Sequence, residues 1–143
     1  MHDEQPVQVG LARVTIAELH GRHAFLMLGR QNDRSIAELL IAMREAVQAS
    51  KVAGTTIRLN VVKSQDRRFM RWSKRSTYQT WEAIQLELAD LPAPVRRHYE
   101  QLQRRVMELN ALSSLLTDVR HHIVKLADQA GWRRRTKDDF LDK

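Results

Sequence analysis

Cysteine is absent from the 143 residues. That excludes disulfides, thiol nucleophiles and thiolate zinc sites together, and it fits a reducing cytoplasm. There are only five glycines, and none forms the Gly-rich loop that would cradle a phosphate. Aromatic residues make up 6%, so the core is expected to be aliphatic. No apolar run approaches the roughly 20 residues needed to span a bilayer. The N-terminal Met-His-Asp-Glu-Gln-Pro is acidic and polar, unlike the basic start of a secretory signal. The expectation is a cytoplasmic domain with no membrane partner.

What is present is an ordinary globular composition, 43% hydrophobic and 29% charged, with a formal net charge of +7. The charge is concentrated. Between Arg58 and Arg75 seven basic residues (Arg58, Lys63, Arg67, Arg68, Arg71, Lys74, Arg75) stand against one acid, Asp66, a net +6. Phe69 and Trp72 lie among these cations.

Residues 7 to 28 suit either period. Val7, Val9, Leu11, Val14 and Ile16 could begin a strand, whereas Ala12, Ile16, Leu19 and His23 share a helical face. A helix from about Leu11 to Leu28 is preferred, although Gly21 weakens it by roughly 1 kcal/mol. A second helix follows. Asn32 or Asp33 can cap it, Ser35 and Glu38 form a capping box, and Ile36, Leu39, Leu40, Met43 and Val47 fall at helical spacing up to about Lys51.

From Thr55 the period changes to two. Ile57, Leu59 and Val61 alternate with Arg58, Asn60 and Val62, Ser64-Gln65-Asp66 reads as a turn, and alternation resumes over Phe69 to Ser73. A β-hairpin results. Two registers keep Ile57, Leu59 and Val61 on the face of Met70 and Trp72: a two-residue loop at Ser64-Gln65, or a four-residue loop from Ser64 to Arg67. The first sets Arg58 opposite Arg71, a like-charge pair that needs an anion or solvent to offset it.

A short helix from Thr77 or Thr80 to about Ala89 is stopped by Leu91-Pro92-Ala93-Pro94. The last helix carries the clearest pattern. Val95, Tyr99, Leu102, Val106 and Leu109, then Leu112, Leu116, Val119, Ile123 and Leu126, step by four and three with one stammer between Leu109 and Leu112. Such a helix of about 35 residues spans roughly 50 Å, longer than a small domain, so part of it must pair with another helix or chain. Gly131 closes it. Residues 1–131 are thus expected to form one globular domain, with a hairpin at about 55–75 and a long helix at about 95–130. Residues 132–143, with Arg133, Arg134, Arg135 and Lys137 against Asp138, Asp139 and Asp142, read as a charged tail.

Cations interleaved with aromatics on a ribbon suit a polyanion, with arginine and lysine on phosphates and an aromatic against sugar or base. The competing readings are a solvated outer face, with Phe69 on arginine stems and Trp72 in the core, and an acidic protein partner. Arg96, Arg97, Arg104 and Arg105 read as the polar face of the long helix. His20 with His23, and His121 with His122, lack the further ligands of a metal site. No motif frames a nucleophile. The chain is expected to be no enzyme and to carry no metal or cofactor.

Phe69-Met70-Arg71-Trp72, Thr80-Trp81-Glu82 and Glu108-Leu109-Asn110-Ala111-Leu112 together resemble a family of proteins carried by bacterial integrative and conjugative elements, some of whose members are labelled integrase regulators. The resemblance spans about residues 33 to 127. It puts Arg71 and Trp72 at the family's Arg-Trp position and Asn110 at its polar break in the helix, and it supplies no catalytic residues. It implies a mobile-element context and DNA-related work.

The expected fold is α+β and mainly helical, with a basic β-hairpin packed with an antiparallel helical hairpin that has one long C-terminal arm. The expected function is that of a non-enzymatic, nucleic-acid-associated accessory or regulatory protein. DNA would be bound through Arg58, Lys63, Arg67, Arg68, Phe69, Arg71, Lys74 and Arg75. The alternative is a protein-interaction module. In it, Leu102, Val106, Leu109, Leu112, Leu116, Val119, Ile123 and Leu126 form a dimer or partner interface.

Overall fold

The structure is a computed structural model and describes residues 7–9, 12–14 and 21–131. Elements run in the order β1 (Val7–Val9), β2 (Ala12–Val14), α1 (Gly21–Ala49), β3 (Ile57–Ser64), β4 (Arg67–Lys74), β5 (Thr77–Gln79), α2 (Trp81–Leu88) and α3 (Ala93–Gln129). The fold is α+β and mainly helical, as the periodicity predicts. Contacts divide the chain into two units, one of Met1–Ile36 with Leu115–Lys143 and one of Ala37–Ser114. The expected tail, 132–143, lies outside the described residues.

In the first unit, β1 and β2 pair antiparallel with Val7 opposite Val14. This corrects the expected helix from Leu11, because Ala12–Val14 is strand; the described part of α1 runs from Gly21. The β-branched Val7, Val9 and Val14 favour strand, and here that preference wins. A second correction concerns the break expected near Asn32. Helix α1 runs unbroken through it, because Asn32 and Ser35 serve packing rather than capping. Asn32 is fully buried and its Nδ2 donates to the Leu116 carbonyl at 3.0 Å. Within this unit the first half of α1 and the end of α3 run antiparallel. Asn32 meets Leu116, Asp33 pairs with Arg120 at 3.6 Å, and a Cβ on Gly29 would lie 3.7 Å from Ile123.

The second unit holds a three-stranded antiparallel sheet in the order β3-β4-β5. Both connections are two-residue turns. Gln65 has a positive φ at the first position of one, and Arg75 and Ser76 both have positive φ in the other, the type I′ pattern that suits the twist of a hairpin. Ile57, Leu59, Met70 and Trp72 lie buried on one face, together with Met43, Ile84, Leu88, Tyr99, Leu102, Val106 and Leu109 from the helices. Trp72 is the centre of this contact. Its ring lies 5.4 Å from Trp81 and 5.8 Å from Tyr99, and its Nε1 donates to Gln103 Oε1 at 2.7 Å.

Tyr99, fully buried, ties the end of α1 to the start of β3. Its hydroxyl shares its one proton between the carbonyls of Ser50 (3.0 Å) and Ile57 (3.3 Å) and lies 2.6 Å from Thr55 Oγ1. Ser50 Oγ in turn accepts from the Leu59 N–H at 2.9 Å. Thr80 caps α2 by accepting from the Ala83 N–H at 3.2 Å. Pro94 sits in the first turn of α3, where its missing N–H costs nothing.

Candidate nucleic-acid interface

The register decides which cations share a surface. Ile57 stands opposite Lys74, Leu59 opposite Trp72, Val61 opposite Met70 and Lys63 opposite Arg68; the intervening pairs are Arg58 with Ser73, Asn60 with Arg71, Val62 with Phe69 and Ser64 with Arg67. This is the second of the two registers, with the ladder carried on to Ser64 and Arg67. The expected opposition of Arg58 and Arg71 does not occur. A register two residues along sets neutral Asn60 against Arg71 and removes that repulsion.

Side chains alternate across a sheet, so one face carries Arg58, Asn60, Val62, Arg67, Phe69, Arg71 and Ser73. Tyr78 of β5, opposite Ser73, joins them. The helices pack on the other face. The outer face is therefore a shallow antiparallel surface of arginines and rings. The Arg71 guanidinium stacks over Tyr78 with its Cζ 4.2 Å from the ring centroid, and Arg67 lies 5.9 Å from the centroid of Phe69. Tyr78 is 47% exposed. Asn60 Nδ2 donates to Ser73 Oγ at 2.7 Å, and Arg58 is held by Thr55 Oγ1 (3.3 Å) and its neighbour's carbonyl at Ile57 (2.7 Å). A hollow of about 360 Å³ opens between Thr55, Arg58, Asn60, Ser73, Arg75 and Tyr78.

Three expected site residues lie on the helix-facing side instead. Lys74 pairs with Glu87 of α2. Lys63 and Arg68 stand opposite each other and join Arg44, Leu40 and Val61 around a second hollow of about 280 Å³. Because the Leu59 N–H turns to Ser50, the odd-numbered residues of β3 point their backbone groups away from β4. Lys63 and Arg68 therefore form the closer, non-hydrogen-bonded kind of pair. Like charges so placed call for a counter-anion or solvent. The facing cations of the hairpin are thus Lys63 and Arg68, near its tip and on the helix-facing side, in place of the expected Arg58 and Arg71 on the outer face.

Helix α3 closes the edge of β4 where β5 does not reach. Asn110 Oδ1 accepts from the Met70 N–H at 2.7 Å, and Asn110 Nδ2 donates to the Met70 carbonyl at 3.2 Å. Ser113 donates to the Arg68 carbonyl, and Arg67 Nη1 donates to Ser114 Oγ at 2.7 Å. The stammer between Leu109 and Leu112 falls where the helix turns these polar side chains to the strand.

The apolar stripe of α3 is partly used internally. Leu102, Val106, Leu109 and Leu116 are buried, Leu112, Val119 and Ile123 half-buried, and Leu126 is 46% exposed. Among the described residues no group of three His, Cys, Asp or Glu could hold a metal ion, and no helix is long and apolar enough to cross a membrane.

Tyr78, Asn60 and Ser73 were not singled out by the sequence. Thr77-Tyr78-Gln79 follows the Arg75-Ser76 turn, and a third short strand was the signal available there. No protein-family model, no curated protein and no solved structure matches the chain.

Proposed function

We propose that this chain is a non-enzymatic accessory or regulatory protein that binds DNA through the outer face of its three-stranded sheet. The observation that carries this reading is the company two rings keep, Tyr78 exposed and Phe69 half-buried. Phe69 and Tyr78 each lie beneath an arginine, on a face with Arg58 and next to Arg75. Guanidinium groups supply phosphate contacts, and exposed rings supply surface for sugar or base. A merely solvated face accounts for Phe69 packed against an arginine but gives Tyr78, 47% exposed beneath Arg71, no role. The resemblance to proteins of bacterial integrative and conjugative elements adds the mobile-element setting and favours DNA over other polyanions. Arg58, Arg67, Arg71 and Arg75 are the primary phosphate contacts in this reading, and Lys63 and Arg68 lie around the hairpin tip. Lys74, paired with Glu87, contributes little.

The test is fluorescence anisotropy of labelled DNA across a salt series. Each neutralised phosphate releases counterion, so log K should fall linearly with log salt, by about 0.7 to 0.9 per contact. Binding that ignores salt, or none at low salt, counts against the proposal.

A further inference from the structure

We infer that the hollow beside Tyr78 seats an unpaired base, so that the nucleic acid bound on this face is single-stranded. The inference rests on the DNA-binding reading above and narrows it.

Duplex recognition by a β-ribbon requires two strands free to enter a groove about 12 Å wide. The β3–β4 ribbon lacks that freedom. Asn110 and Ser113 of α3 bond along the β4 edge, and Trp72 on the inner face packs against Trp81 and Tyr99. Only the flat outer face remains, and a flat face meets a duplex at its backbone alone. A single strand can instead lay its bases on rings and guanidinium planes.

The outer face is furnished for that. The hollow, about 360 Å³, falls in the range of about 300–1,000 Å³ typical of small-ligand clefts. Its walls combine a ring (Tyr78), two guanidinium groups (Arg58 and Arg75) and the polar edges of Asn60 and Ser73. Asn60 donates its amide N–H to Ser73, which fixes the side chain and leaves Oδ1 as an acceptor for a base edge. Arg71 stacks at 4.2 Å on the same tyrosine and steadies the ring. A base stacks against Tyr78, its polar edge meets Asn60, and the flanking phosphates reach Arg58 and Arg75. Such a base has left any duplex partner.

The test compares anisotropy of labelled oligothymidylate, oligouridylate of the same length and a duplex of the same length, with wild type, Tyr78→Ala and Tyr78→Phe. Tighter binding of a single strand is expected, and Tyr78→Ala should weaken it roughly 5- to 100-fold. Tyr78→Phe should retain it, and duplex binding should change little in either variant. A preference for the thymidylate sustains both the inference and the DNA-binding proposal; a preference for the uridylate overturns the choice of DNA, and with it the inference as stated. Duplex bound as tightly as single strand, or equal losses on both with Tyr78→Ala, overturns it while leaving the DNA-binding proposal standing. No binding to any probe overturns that proposal itself. Photo-cross-linking of bromouracil-substituted oligonucleotide to the wild-type protein needs no variant. A cross-link mapped to Tyr78 supports the inference, and cross-links confined to other elements contradict it.

Discussion

Asn110 of α3 bonds both backbone groups of Met70 in β4, accepting from its N–H at 2.7 Å and donating to its carbonyl at 3.2 Å. One side-chain amide thus does for β4 what a neighbouring strand would do, at a position β5 does not reach. An exposed strand edge invites pairing with another chain, and covering it with a helix is one way to prevent that. The same contact anchors the strand that carries Arg67, Phe69 and Arg71.

Replacing this amide should therefore be costly. Asn110→Leu strands a partly buried N–H and carbonyl, at about 1–3 kcal/mol for each group left unsatisfied. Urea denaturation should show a lowered midpoint with an unchanged slope. Asn110→Asp keeps the acceptor for the N–H and loses the donor, so it should fall between wild type and Asn110→Leu.

Tyr99→Phe isolates one hydroxyl. The ring stays, while Ser50, Ile57 and Thr55 lose their shared partner. A loss of about 1–3 kcal/mol is expected in denaturant unfolding. Tyr99→Ala also opens a cavity and should cost about 3–5 kcal/mol by analogy with other large aromatics.

The Arg75-Ser76 turn holds two non-glycine residues at positive φ, 50° and 67°. Left-handed backbone costs an L-residue roughly 1–2 kcal/mol, which glycine escapes. Ser76→Gly should raise the thermal midpoint by a few degrees, and Ser76→Val should lower it.

Leu116 is fully buried, whereas Leu126 is 46% exposed. Leu116→Glu buries a charge without a partner and should cost more than about 3 kcal/mol, seen as a large drop in thermal midpoint. Leu126→Glu should leave the midpoint nearly unchanged. An assembly through α3 is therefore tested by sedimentation of the Leu126 variant, because loss of assembly in the Leu116 variant would report unfolding.

The long helix was legible because its apolar residues step by three and four from Val95 to Leu126, roughly nine turns. The hairpin was legible because alternation at Ile57, Leu59 and Val61 is a period no helix shares. Its register was not, since both candidates place the same residues on the same face, and only the Gln65-Asp66 turn distinguishes them. Asn32 and Ser35 misled for a related reason. Residues that cap helices also satisfy buried contacts between helices, and a sequence does not say which. Tyr78 escaped notice because its place on the outer face depends on β5, a strand of three residues and too short for a period to register. The charge run marked the hairpin, but the pairing divided its cations between two faces.

The most direct test of the central claim uses two variants of equal charge change. Arg58→Glu/Arg71→Glu alters the outer sheet face, and Arg97→Glu/Arg104→Glu alters exposed positions on α3. Each is titrated with labelled single-stranded DNA at one salt concentration. Binding by the sheet predicts a loss of at least about 100-fold in the first variant and a far smaller loss, from the general field alone, in the second. Equal losses in the two would contradict the account, because net charge and no particular surface would then explain the binding.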